Sequence, residues 1–236
     1  MAEIVVTKKG KSAENYSAKD QPSSLFFCLK FLFIMAHIFA FMLCAFIIFL
    51  SQPGTSLFSW HPTLMVLGFG LFMFEAILLF SPYSSLLGAS DRQLKVKYHW
   101  ILQVLAALCF NLGFAVIYYN KNLNNKPHFT SWHGKIGFWA VAISTFQTMV
   151  GPSLIYYNNR ILNPMGTSLA LRKKVHGVVG ALAFVLGDAT MVLSLFSNFM
   201  VKNTSETSWY FLLILKTIMA SVVVNQASSK YVFKSK

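Results

Sequence analysis

Four of the six histidines in this 236-residue chain, His61, His99, His133 and His176, each stand just inside the start of a long apolar stretch. Their settings are Ser59-Trp60-His61-Pro62, Lys97-Tyr98-His99-Trp100, Ser131-Trp132-His133-Gly134 and Lys174-Val175-His176-Gly177. Imidazole can ligate a metal, carry a proton or simply hydrogen-bond in a core. A lone histidine is most simply a packed interfacial residue; four at matching depths on consecutive stretches are harder to explain that way. If each stretch crosses a bilayer, neighbouring helices run in opposite directions. His61 and His133 then meet at one face, and His99 and His176 at the other. That layout suits two metal centres, one near each face.

The elements that must position them are membrane helices. The chain is 56% hydrophobic and only 11% charged, with a mean hydropathy of +0.56, which is too little charge for an ordinary soluble domain. A spanning helix needs roughly 20 mainly apolar residues to cross about 30 Å of hydrocarbon. Six stretches qualify, at 25–49, 60–80, 97–119, 132–151, 174–196 and 209–228. The expected fold is an all-α membrane protein, one six-helix domain over 25–232 between a flexible tail at 1–24 and a short one at 233–236. The first tail carries Lys8, Lys9, Lys11 and Lys19 and is too long and polar to open a cleavable signal peptide. The first span is therefore read as a retained anchor.

Orientation follows from the cations. With the termini on one side, that side holds Lys8, Lys9, Lys11, Lys19, Lys30, Arg92, Lys95, Lys97, Arg160, Arg172, Lys173, Lys174, Lys230, Lys234 and Lys236. The other holds Lys121, Lys126, Lys135 and Lys202. This asymmetry makes the basic side cytosolic, and both termini with it. The net charge of +13 is thus a topology signal; no basic run interleaved with aromatics points to nucleic acid. The partner is the lipid bilayer, in the endoplasmic reticulum, a vesicle or the plasma membrane, and a homodimer is compatible with this reading. The triplet Asn203-Thr204-Ser205 is a glycosylation sequon in the fifth loop, on the non-cytosolic side. Cys28, Cys44 and Cys109 are odd in number, lie in or beside spans and read as small apolar residues with no disulfide.

Ionisable side chains inside a membrane are costly and point to function. Two imidazoles facing each other across a helix bundle supply the axial pair of a six-coordinate haem iron, which suits single-electron transfer. Zinc would call for three or four convergent ligands. His133 and His176 share the pattern His-Gly-x-x-Gly. Glycines one and four residues on flank the ligand on the helix surface, where they leave room for a flat macrocycle; the alternative is small-residue helix packing. The second and third spans then relate to the fourth and fifth as a weak repeat, with histidine separations of 38 and 43 residues. Helix lengths put the two irons on the order of 20 Å apart.

With these residues in view, the chain resembles the cytochrome b561 family, six-helix di-haem transmembrane electron carriers, and most closely its short membrane-only branch. The resemblance is carried by Gly54–Met65, Glu75–Leu87, Tyr98–Gln103 and the segments around His133 and His176, and extends from about Leu25 to Val232. It implies two haem b groups, one held by His61 and His133 and one by His99 and His176, in a four-helix core of spans two to five. It also implies electron transfer from cytosolic ascorbate to a non-cytosolic acceptor, ferric iron or monodehydroascorbate. Two segments depart from the ascorbate-using branch: no Arg follows Glu75 in Ala76–Tyr83, and Ser131-Trp132-His133-Gly134 replaces the usual motif around the fourth-span ligand.

The donor site is read from cations instead. Lys97, Arg172, Lys173 and Lys174 precede the cytosolic ligands, where haem propionates and an anionic reductant need positive charge; membrane anchoring is the plainer role. His128 is an extra ligand-type side chain in the third loop, and His37, mid-span, reads as a packed or hydrogen-bonded core residue. Glu75, 14 residues beyond His61, should return to within about 40° of the same helix face and serve proton uptake or orient a ligand imidazole. Asp188 and Lys216, at equal depth on consecutive spans, should form a structural ion pair. A competing reading is a proton- or ion-coupled small-solute transporter that uses the intramembrane His, Glu75, Asp188 and Lys216. Transporters commonly break helices at mid-membrane, whereas Pro62, Pro82 and Pro152 fall at span ends, which favours the electron conduit.

Overall fold

A computed structural model describes residues 23–231 except 89, 157 and 159–165. The expected tails, with Lys8, Lys9, Lys11, Lys19, Lys234 and Lys236, lie outside the described residues, as do Arg160 and the side chain of Lys230. Six helices are long and apolar enough to cross a membrane, and no strand occurs among the described residues. They are α1 (Ser23–Ser51), α2 (Trp60–Leu78), α3 (Arg92–Leu123), α4 (Trp132–Val150, continued by a turn at Pro152–Ile155), α5 (Leu169–Ser194) and α6 (Glu206–Tyr231). The chain is an all-α integral membrane protein.

Several helices begin before their apolar stretches do. α3 starts at Arg92 and α5 at Leu169, so their first turns carry the cations. Backbone hydrogen bonding continues past the hydrocarbon boundary, and side-chain caps decide where it begins. Ser131 Oγ accepts from the Gly134 N–H at 3.2 Å and Ser168 Oγ from the Leu171 N–H at 3.3 Å, which satisfies donors the helix itself cannot. His61 and His133 are each the second residue of their helix, and His99 and His176 each the eighth. The two histidine levels are therefore set by where the helices start.

α2 to α5 form a closed ring in which each helix touches the next and α5 returns to α2; on its flank α1 packs against α2, α6 packs mainly against α5, and α1 and α6 pack against each other. α1 turns Phe33, Ala36, Ala40, Leu43 and Ile47 inward, a helical stripe, while Phe27, Phe31 and Phe49 face outward to lipid. α2 is the axis of this assembly: 56% of its apolar window is buried, against 17% for α3. Its middle, Val66–Phe72, is wound as a π-helix between α-helical ends. Phe69 of that segment stacks on Phe110 of α3 at 4.7 Å and fills the space a side chain at Gly187 of α5 would need.

Candidate functional site

The helix ring brings the histidines together in two pairs. His61 and His133 have ring centres 6.2 Å apart, and His99 and His176 6.4 Å apart, with the rings close to perpendicular. Three of the four are held through Nδ1. His61 Nδ1 donates to Gly113 O at 3.0 Å, His99 Nδ1 to Ala76 O at 2.9 Å and His133 Nδ1 to Thr190 O at 2.9 Å. A carbonyl only accepts, so in each ring Nδ1 carries the hydrogen and Nε2 keeps its lone pair free for a metal. His176 Nδ1 is buried with no hydrogen-bond partner among the described residues. Its backbone is held instead: Gln147 Nε2 of α4 donates to His176 O at 2.5 Å.

Each anchoring carbonyl lies on a helix that also carries a ligand of the other pair. Fourteen residues separate His99 from Gly113 on α3, and His176 from Thr190 on α5, or about 21 Å at 1.5 Å per residue. On α2 the corresponding span, His61 to Ala76, takes fifteen, and the π turn accommodates the extra residue.

That extra residue corrects the reading of Glu75. An uninterrupted α-helix would return it towards the face of His61; the π turn absorbs one residue without advancing the helix, so Glu75 lags by one residue's twist, about 100°, and stands away from that face. Glu75 faces α1, where its Oε2 lies 2.6 Å from His37 Nδ1. The backbone carbonyl of the next residue, Ala76, is what orients His99.

The glycines four residues after His133 and His176 also differ from expectation. A Cβ on Gly137 would meet Thr190 Cγ2 at 3.1 Å, and one on Gly180 would meet Gln147 Nε2 at 3.3 Å. Both serve the close approach of α4 and α5, so the neighbouring helix occupies the space they leave. The approach matters to the ligands: it lets His133 reach Thr190 O and Gln147 reach His176 O.

Phe58 flanks His61 at 6.3 Å and Phe80 flanks His99 at 5.3 Å, with Arg92 over the Phe80 ring at 5.9 Å. Lys97, Lys173 and Lys174 are exposed and Arg172 half-buried at the His99/His176 end. Arg92, which the sequence placed on this side but not among the donor cations, brings a further like charge near Lys173. His128 is engaged within its own loop, stacked on Tyr118 at 4.0 Å and 2.7 Å from Asn122 Oδ1 through Nε2. Lys216 Nζ contacts Asp188 Oδ1, both side chains being buried. Gln147 was missed because a single polar residue within a span forms no motif.

No three His, Cys, Asp or Glu side chains converge among the described residues, so each centre offers two donors. With imidazole–metal bonds of roughly 2 Å and roughly 1 Å more from each nitrogen to its ring centre, an axial pair spans about 6 Å between centres. Both pairs match this, and the three carbonyl-held tautomers present the correct nitrogen. The residues fit bis-imidazole haem.

Four membrane helices enclosing two facing imidazole pairs, with two more on their flank, suit an intramembrane carrier of electrons. Residues 60–202 match the family of eukaryotic cytochrome b561. The chain is 36% identical over 201 residues to the mouse (Mus musculus) protein "Transmembrane reductase CYB561D2", covering 85% of this chain and 89% of the relative. It is 34% identical over 203 residues to the human (Homo sapiens) "Probable transmembrane reductase CYB561D1", covering 86% and 87%. It is also 28% identical over 154 residues to the mouse "Lysosomal membrane ascorbate-dependent ferrireductase CYB561A3", covering 59% and 63%. The chain belongs to the cytochrome b561 family. It is a transmembrane electron-transfer oxidoreductase, and membership implies haem b.

Proposed function

We propose that this protein passes single electrons from cytosolic ascorbate to ferric iron or monodehydroascorbate on the opposite side of the membrane. Two haem b groups would serve, one between His61 and His133 and the other between His99 and His176. The observation that carries this reading is the pair of imidazole couples at axial-ligand spacing, on levels about 21 Å apart along the same helices. Bis-imidazole haem iron cycles between its ferric and ferrous states by single electrons.

The chain's own residues do the rest. The carbonyls of Gly113, Ala76 and Thr190 hold the ligand rings in one tautomer and one orientation. The apolar ring of α2 to α5 excludes water from the path. Lys97, Arg172, Lys173 and Lys174, joined by Arg92, supply the positive field that neutralises propionates and draws in an anionic reductant. A relative named as an ascorbate-dependent ferrireductase supports ascorbate as donor and ferric iron as acceptor. Both termini are then cytosolic, by the cation asymmetry.

The test is purified protein in proteoliposomes. The expected result is a haem b absorption spectrum reduced within a stopped-flow trace by ascorbate on the face bearing Lys97 and Arg172, with ferric chelate reduced on the other side. Reduction only from the face bearing Lys121 and Lys126 would overturn the direction. A colourless protein would overturn the haem reading altogether.

A further inference from the structure

Electron transfer through the two imidazole pairs leaves one buried titratable pair without a role. His37 of α1 and Glu75 of α2 are 7% and 4% exposed, and their Nδ1 and Oε2 atoms lie 2.6 Å apart. His37 Nε2 is 3.0 Å from Ser84 Oγ, in the loop between α2 and α3. Oε1, the second oxygen of Glu75, is buried with no partner among the described residues. Fastening α1 to α2 would need one hydrogen bond, and an ionised carboxylate with a bare oxygen in this setting is expensive. Taking up a proton relieves that cost, and the hydrogen then sits on Oε2 and is donated back to His37 Nδ1. The pair is also tied to a haem ligand, because Glu75 precedes Ala76, whose carbonyl holds His99.

We propose that His37 and Glu75 form a proton-loading site, reached from the cytosol through Ser84, that takes up one proton when the haem at His99 and His176 is reduced. This rests on the haem reading above. The electron would come from the cytosolic donor and would leave for the other centre on reoxidation. The proton comes from cytosolic water: Ser84 passes one to His37 Nε2 as the Nδ1 proton moves to Glu75, and the route reverses on reoxidation. An added electron in a low-dielectric interior raises the affinity of nearby groups for protons, which drives the uptake.

The groups that surrounding elements bring to this end are consistent with a single loading site. α1 adds exposed Lys30 two turns towards the cytosol and Cys44 two turns away, with Cys44 Sγ donating to Val66 O. The loop adds Tyr83, packed on Phe33 at 5.0 Å. α3 and α5 add the ligands His99 and His176, and α6 adds uncharged Gln226, whose Nε2 donates to Ile77 O at 2.8 Å. Lys216 of α6 is engaged by Asp188.

The full chain with both haems should be titrated by visible absorbance against electrode potential at several pH values, in wild type and Glu75→Gln. The reduced state binds the extra proton, so the midpoint potential of the cytosolic haem should fall as pH rises. Glu75→Gln should abolish most of that slope and leave the other haem unchanged. The infrared difference between reduced and oxidised wild type should gain a carboxylic-acid band that shifts when glutamate carboxyls carry carbon-13. This second measurement decides the matter if Glu75→Gln fails to hold haem. A flat midpoint in wild type, a slope retained in Glu75→Gln, or no label-shifted band overturns the proposal. Two haems without pH dependence would sink this proposal alone; a wild-type chain with a single haem would sink it together with the two-haem reading.

Discussion

At the His61/His133 end both rings are tied by Nδ1 to a neighbouring helix, one to Gly113 O and one to Thr190 O. At the His99/His176 end only His99 is tied in this way; His176 is steadied through its backbone by Gln147, and its own Nδ1 is bare. Partners behind a metal-bound imidazole fix its orientation and raise its basicity. The two proposed centres therefore share a pair of imidazoles but differ in stiffness, and the looser one lies on the side of the Lys97, Arg172, Lys173 and Lys174 cations.

The largest expected effect comes from removing a ligand. His99→Ala should lose one haem per chain and keep the other, and His133→Ala should do the same with the opposite spectrum surviving. Haem counted from absorbance per mole of protein checks this, and two haems in either variant would break the pairing.

Next in size is the contact between Asp188 and Lys216. Stranding one buried charge costs about 3–5 kcal/mol, so Asp188→Asn and Lys216→Met should each lose haem at lower temperature than wild type, and the double variant should recover part of the loss. Asp188 is two residues from Thr190, so the His61/His133 haem should be released first. A double variant no better than the singles would show that the pair carries no stability.

The smallest effect sharpens the contrast directly. Under mild denaturant the His99/His176 haem should leave before the other in wild type. Gln147→Leu should widen the gap by about 1 kcal/mol, roughly fivefold in retention. Equal release of both haems would mean that the anchoring carbonyls do not distinguish the sites.

Much of this was readable before any coordinates. Six spans followed from apolar length, and the histidine pairs followed from alternating helix direction, because both depend only on counting residues along the chain. The facing of Glu75 did not follow. Nothing in Val66–Phe72 marks a π turn, and a single extra residue of winding is enough to move a side chain from one neighbour to another. Gly137 and Gly180 were legible as small residues beside ligands, but which object fills the space they leave depends on how close α4 and α5 come. Gln147 and Ser84 carried no signal, since each acts across the fold on a residue far away in sequence.

Three consecutive residues near the end of α2 are held by three different helices: Glu75 by α1, Ala76 by α3 and Ile77 by α6. This has a consequence for biogenesis. A chain emerging from the ribosome completes α1, α2 and α3 first, so Glu75 and Ala76 can find their partners early. The Ile77 carbonyl must wait for Gln226, and Asp188 for Lys216, until α6 has been inserted. Until then the nascent protein carries an uncompensated carboxylate and an open carbonyl in lipid, at a cost that only the last helix removes. Completion of the helix packing around His99 is thereby tied to synthesis of the last described helix.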